Sequence, residues 1–249
     1  MKRVLAGFGL FLLLGIMAGC ASGPPINTHT ASGAFALAQR YEKDGRYNEA
    51  ISKYSDVKNK FPYSRFAVEA ALKIADLQFK EEDYVSAESS YRLFKEFHPN
   101  YSKIDYVTFR IGLSVFKQLP PTIDRDLSLA DTAIKSFNDV VVDYPTSKYA
   151  GPAKKYIEKC RKMLAEKDKY IADYYYGQGI WISALGRYRD LLRHYPHQGF
   201  GAQALYGATM SAYHMKDLGR AKMYFKRLLG EYPKSSEIAK ARKEISNGF

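Results

Sequence analysis

The chain changes its hydrophobic pattern once. It opens with Met1-Lys2-Arg3 and an unbroken apolar run from Val4 to Ala18, then Gly19-Cys20. Beyond about Ser32 the apolar residues recur at three- and four-residue spacing, the period of amphipathic helices. A charged start, an apolar stretch and a small residue before the break predict an export signal over 1–19. The run is too short for a comfortable membrane span. Ala21 to about Ser32, with Gly23, Pro24, Pro25, Asn27 and Thr28, has no apolar period and predicts a flexible tether.

The helical part carries an internal repeat. Five prolines follow an aromatic or His residue: Phe61-Pro62, His98-Pro99, Tyr144-Pro145, Tyr195-Pro196 and Tyr232-Pro233. Eight residues before each proline stands an aromatic: Tyr54, Tyr91, Phe137, Tyr188 and Phe225. Twelve before it stands Ala50, Ala87, Ala133, Ala184 or Ala221. Ala lets two helices approach, and the aromatic four residues on fills the gap on the same face. Proline stops the second helix and starts the next unit. Each helix pair then has an apolar face that only another pair can cover, so the units must stack. All five aromatics are expected in the core.

The frame predicts helices over about 32–44 and 47–60, 65–80 and 84–97, 104–116 and 127–143, 152–176 and 180–194, 199–214 and 218–231, with a last one over 235–246. Ser64 is the expected N-cap of the third. Pro62 to Pro99 equals Pro196 to Pro233 in spacing, while the two middle intervals are longer. One holds an inserted loop, Leu119-Pro120-Pro121-Thr122-Ile123-Asp124-Arg125-Asp126, and the other a long charged helix with Ile157, Cys160, Leu164 and Ile171 on one face. The resulting division is 1–19 signal, 20–32 lipidated Cys and tether, 33–99 repeats one and two, and 100–145 repeat three with its loop. Residues 146–196 are the long helix and repeat four, and 197–249 repeat five and the capping helix.

Composition adds little chemistry. The formal charge is +12, from 38 Lys and Arg against 26 Asp and Glu, and these are spread along the chain. An exported chain does not meet nucleic acid routinely, so the charge points to solvated helix faces, anionic head groups or an acidic partner. Cys160 has no second thiol but Cys20 and reads as a small buried side chain. His194 and His197 have ligand-like spacing but flank Tyr195-Pro196 in a turn, with no carboxylate to complete a site. Asp124 and Asp126 read as loop charges that cap the next helix. No phosphate loop, nucleophile elbow or metal motif is present, so no catalytic residue, cofactor or metal is expected. Three adjacent tyrosines, Tyr174, Tyr175 and Tyr176, cannot all face one way, which makes them and Trp181 candidate binding aromatics. Tyr63, Tyr101 and Tyr106 stand near the mouths of units one to three and are candidate contacts for a peptide groove.

Three resemblances sharpen this reading. Met17-Ala18-Gly19-Cys20 resembles the bacterial lipobox, with Met17 where Leu is usual, which implies lipidation at Cys20. Ala21 rather than Asp after it implies sorting to the outer membrane. Leu37, Ala38, Tyr41, Ala50, Tyr54 and Pro62 resemble the tetratricopeptide repeat, which implies an all-α superhelix of about five helix–turn–helix units with a C-terminal cap. Finally, His98-Pro99-Asn100, Ile104-Asp105-Tyr106-Val107, Gly112, Asp124-Arg125-Asp126, Tyr144 to Tyr149 and Ala172-Asp173-Tyr174-Tyr175 with Gly179 and Trp181 resemble the BamD family of outer membrane assembly lipoproteins.

That resemblance implies a non-catalytic scaffold, lipid-anchored on the periplasmic side of the outer membrane. Its implied partners are a BamA-like β-barrel insertase, other assembly lipoproteins and unfolded outer membrane proteins. Arg187 stands where the family has an Arg tied to the insertase, and Arg189 and Arg193 neighbour it. Repeat adaptors for envelope constriction or pilus assembly share the anchor and the fold, but the loop with Asp124-Arg125-Asp126 favours the assembly family. A peptidoglycan-layer enzyme would need an acid in a cleft, and no residue offers itself.

Overall fold

A computed structural model describes residues 26–245 of the chain. The export signal, Cys20 and residues 21–25 of the tether therefore lie outside the described residues. Among those described there are eleven helices and no strand. They pair as α1 (Ala31–Lys43) with α2 (Tyr47–Lys60), α3 (Arg65–Lys80) with α4 (Tyr84–Phe97), α5 (Ile104–Lys117) with α6 (Leu129–Asp143), α7 (Ala150–Gly177) with α8 (Trp181–His194), and α9 (Gly201–His214) with α10 (Leu218–Glu231). The last helix, α11 (Ser236–Ile245), packs on α9 and α10. Each second helix also packs on the first helix of the next pair, and α1 touches α3, α5 touches α7 and α7 touches α9, so first helices line one side of the stack. No described helix is long and apolar enough to cross a membrane.

The repeat frame becomes a repeated geometry. Ala50, Ala87, Ala133, Ala184 and Ala221 are all fully buried. Each second helix ends in a residue before proline, and the five share one conformation, φ −130 to −135° and ψ 51 to 58°. Proline excludes the helical region from the residue before it, so the stop is steric and local. Four aromatics of the frame, Tyr54, Tyr91, Phe137 and Tyr188, are buried as expected. The fifth is a correction: Tyr224 takes the buried position and Phe225 is only partly covered. Positions three and four after Ala221 share its face. Behind α10 lies only the ten-residue α11 rather than a full hairpin, so Phe225 is left at the edge, against Met210, Ala241 and Ile245.

Caps and turns follow side-chain chemistry. Ser64 accepts a hydrogen bond from the Ala67 N–H at 3.2 Å, and Thr30, Asp83 and Asp217 do the same for α1, α4 and α10. The turn inside units one and four uses left-handed Gly45 (φ 73°) and Gly179 (φ 71°). Units two and five place Glu82 (φ 62°) and Lys216 (φ 63°) there instead. An L-residue in this region is strained by roughly 1–2 kcal/mol, partly offset by the entropy that Gly would lose. Glu82→Gly is therefore expected to stabilise the protein by about 0.5–1 kcal/mol, read from urea midpoints at constant slope.

The two long intervals meet each other. Helix α6 starts at Leu129, two residues later than the pattern suggests, because Leu127 is pulled into the core ahead of it. Asp126 accepts from the Ser128 N–H and hydroxyl, tying down the approach to α6. Leu119 and Ile123 of the loop pack in one cluster with Met163 and Leu164 of α7. Lys167 of α7 donates to the Arg125 carbonyl. The inserted loop thus has a long helix to rest on, and the helix is longer than its neighbours where the loop needs it.

Candidate functional site

Three buried tyrosines, Tyr54, Tyr91 and Tyr188, carry hydroxyls into the stack, and each of these finds a carboxylate on a first helix. Tyr54 donates to Glu42 at 2.5 Å, Tyr91 to Asp76 at 2.6 Å and Tyr188 to Asp173 at 2.7 Å. Unit three has Phe137 in that place and needs no acceptor. Burial, then the adjoining carboxylate, pushes all three phenols well above their ordinary range, so they act as neutral donors. Burial also works to raise Glu42, but hydrogen bonds from Tyr54 and Lys73 outweigh it and hold the carboxyl low. Lys73 reaches Glu42 at 2.9 Å across two units, so the pair locks their relative position.

Unit three plugs into the same network. Tyr106 donates to Asp76 at 2.6 Å, and the Arg110 Nε–H donates to the Tyr91 hydroxyl at 2.9 Å. The Arg110 guanidinium stacks 3.6 Å from the Phe79 ring. Tyr106 is thus committed to holding units two and three together. Tyr101 packs edge-on against Phe94 with ring centroids 5.1 Å apart. Tyr63, in the turn between α2 and α3, is fully exposed.

The α7–α8 aromatics divide similarly. Tyr174 is 58% exposed, whereas Tyr175 and Tyr176 pack against the core. Trp181 stacks on His214 at 4.2 Å and meets Tyr176 at 5.2 Å. These three rings form the joint between α7, α8 and α9. Tyr174 is the member open to a partner.

Arg187 lies on α8 one residue before buried Tyr188, with its side chain 45% exposed and its guanidinium 4.0 Å from Asp168 of α7. Burial pushes the Asp168 carboxyl up, with Arg187 pulling the other way. Arg189 and Arg193 both turn to Asp190, at 3.8 and 3.1 Å, and leave most of their length in solvent. Arg187 is therefore set toward α7, while its two neighbours run along α8.

Two open clefts lie in units one and two. One, of ≈ 350 Å³, is polar and lined by Gln39, Glu42, Lys43, Tyr47, Lys73 and Lys80. The other, of ≈ 320 Å³, lies between α2 and α4 and includes Ile74, Leu93, Phe94 and Phe97. The sequence pattern misses the second because Leu93 and Phe97 fall off the Ala87–Tyr91 face. Their four-residue spacing on the opposite face is the one available signal. Elsewhere, Cys160 is fully buried and its thiol is pushed up to about 11 by burial. Among the described residues no group of three His, Cys, Asp or Glu is placed to hold a metal ion.

The family model for an outer membrane lipoprotein matches residues 27–205, well over half of the chain, and a tetratricopeptide repeat model matches 203–235. The chain is similar to the outer membrane protein assembly factor BamD of Vibrio cholerae, 26% identical over 195 residues that cover 74% of this chain and 81% of that protein. The factor of the same name from Xylella fastidiosa is 30% identical over 172 residues, covering 66% of this chain and 59% of its own length. That of Neisseria meningitidis serogroup B is 26% identical over 211 residues, covering 81% and 79%. With paired helices and a buried Ala–aromatic frame, the chain is a tetratricopeptide-repeat scaffold, and it belongs to the outer membrane lipoprotein family of the BamD factors.

Proposed function

We propose that the protein is the repeat scaffold of an outer membrane β-barrel assembly machinery, held at the periplasmic face by lipid on Cys20. Units one to three receive an unfolded outer membrane protein, and units four and five dock on a BamA-like insertase beside the other assembly lipoproteins. Nucleic acid has no place in this role. The observation that supports the reading is the extent of the family match, which runs from α1 through α8 to the start of α9 and so takes in units one to four. Tyr63 is the accessible one among the three candidate tyrosines of the client surface, and Tyr174 and Arg187 are accessible on the docking surface.

The docking half is tested at Arg187. Its pairing with Asp168 is long and half in solvent, so the residue contributes little to folding. Arg187→Glu is expected to keep the thermal midpoint while weakening co-purification of the insertase about tenfold or more. Unchanged co-purification would remove Arg187 from the interface. A photo-crosslinker at Tyr63 should capture the C-terminal segment of a nascent barrel protein, and capture only at units four and five would reverse the assignment.

A further inference from the structure

The proline turn between α2 and α3 carries a side chain that the repeat frame does not ask for. After the proline, units two to five have Asn100, Thr146, His197 and Lys234, whereas unit one has Tyr63. Its ring is wholly exposed, more so than any other large apolar side chain among the described residues. It lines neither cleft of units one and two.

The ring stands among cations. Lys58 and Lys60 occupy the last turn of α2, and Arg65 opens α3. Lys60 and Arg65 are exposed like Tyr63. No Asp or Glu stands between Val57 and Val68. The acids just outside this stretch are Asp56 and Glu69, and Asp56 is held by Lys53 at 3.2 Å. The start of α1 joins the same edge: Phe35 meets Phe66 with ring centroids 5.4 Å apart and shares a cluster with Phe61. That approach is also free of acids, with none between Ile26 and Tyr41.

The place of the tether selects the occupant. Helix α1 begins at this edge, and eleven residues lead from Cys20 to Ala31, a reach of about 40 Å at most. With lipid on Cys20, this end of the stack is the one held nearest the bilayer, and a short connection keeps its local concentration there high. Anionic head groups match the three cations. A tyrosine ring, with an apolar body and a polar tip, suits the head-group layer. A second copy seated symmetrically would set cations against cations.

We propose that the edge of unit one formed by Lys58, Lys60, Tyr63 and Arg65 rests on the anionic phospholipid surface of the bilayer, the ring in the head-group layer and the cations against phosphates. This goes beyond the scaffold role and rests on the lipid at Cys20. It orients the tethered stack, with the proline turn of unit one against the lipid and the turn at Gly45, at the other end of α1, away from it. A client received at Tyr63 is then received at the membrane surface.

The test reconstitutes the intact lipoprotein into phosphatidylcholine vesicles with or without phosphatidylglycerol and floats them. The readout is an NBD label on Tyr63→Cys, with a head-group spin-labelled lipid as quencher. Cys20 is acylated and Cys160 is buried, so the introduced thiol is the one that labels. The same label on Ile182→Cys, 71% exposed on α8, is the reference. In anionic vesicles quenching is expected to be about threefold or more stronger at 63 than at 182, and to fall without phosphatidylglycerol. Changing Lys58, Lys60 and Arg65 together to Gln should lower the contact population about tenfold or more. The same change at Lys154, Lys155 and Lys159, exposed on α7, should leave it. Unchanged melts verify that both variants fold, and if one melts early the two vesicle compositions decide alone. Equal quenching at 63 and 182, quenching that ignores phosphatidylglycerol, or an equal loss with the α7 variant overturns the edge assignment, while flotation keeps the lipid-anchored reading. Protein that does not float with the vesicles overturns both. A label at 63 that escapes the quencher but is shifted by a peptide copied from the C-terminal segment of a barrel protein overturns it in favour of a client surface.

Discussion

Tyr91→Ala is expected to cost about 3–5 kcal/mol, the range for emptying a fully buried aromatic site. The ring is completely buried among Leu72, Ala75 and Phe94, at the interface of units two and three. Its hydroxyl donates to Asp76 and accepts from Arg110. Truncation leaves a cavity and strips both charged groups of a partner, although Asp76 keeps Tyr106. Tyr91→Phe separates the two effects. It keeps the ring and should cost about 1.5–3 kcal/mol, the range for a hydrogen bond to a charged group. Urea melts of both variants check this. Equal losses would show that the network, not the packing, holds the joint. A repeat array is stabilised mainly by its neighbour contacts, so a broken transition with units one and two melting apart from the rest is the expected form of the Ala variant.

Gly207→Ala is expected to cost about 1–3 kcal/mol although Ala is the better helix former. A Cβ at 207 would lie 2.3 Å from Cε2 and Cζ of Tyr188. That ring cannot step aside easily, since it is 3% exposed and its hydroxyl is tied to Asp173 at 2.7 Å. Gly186→Ala on α8 is the control. Nothing lies within 4 Å of a Cβ there, so the same substitution should gain up to about 1 kcal/mol. Thermal melts should move in opposite directions, and a neutral Gly207→Ala would mean that α8 and α9 slide apart at little cost.

Both predictions concern contacts that the sequence marks only in part. That Tyr91 and Tyr188 are buried is legible from the Pro–aromatic–Ala frame, because these positions are related by short spacing within one helix. That Gly207 must be bare is not legible, because the ring it meets belongs to the preceding unit. The candidate sites divide in the same way. Tyr106 and Tyr101 look alike from their place in the chain, yet Asp76 claims the hydroxyl of one and Phe94 covers the ring of the other. The tyrosine run predicts that at least one ring is exposed, and the fold selects Tyr174. Arg187 is placed off the packed face by its position beside Tyr188, but its turn toward Asp168 depends on where α7 lies.

By itself the sequence determines the eleven helices of the described residues, four of the five core aromatics and the proline stops. Each is set by the spacing of residues within one helix or by the local steric rule at proline. Tertiary structure alone decides that Tyr224 displaces Phe225, that Glu82 and Lys216 accept left-handed turns, and that the inserted loop rests on α7. It also decides that Leu93 and Phe97 border a cleft rather than a solvated face. These outcomes depend on how one helix pair is placed against the next. That placement is the sum of many side-chain contacts between distant residues, and no periodicity along the chain records it.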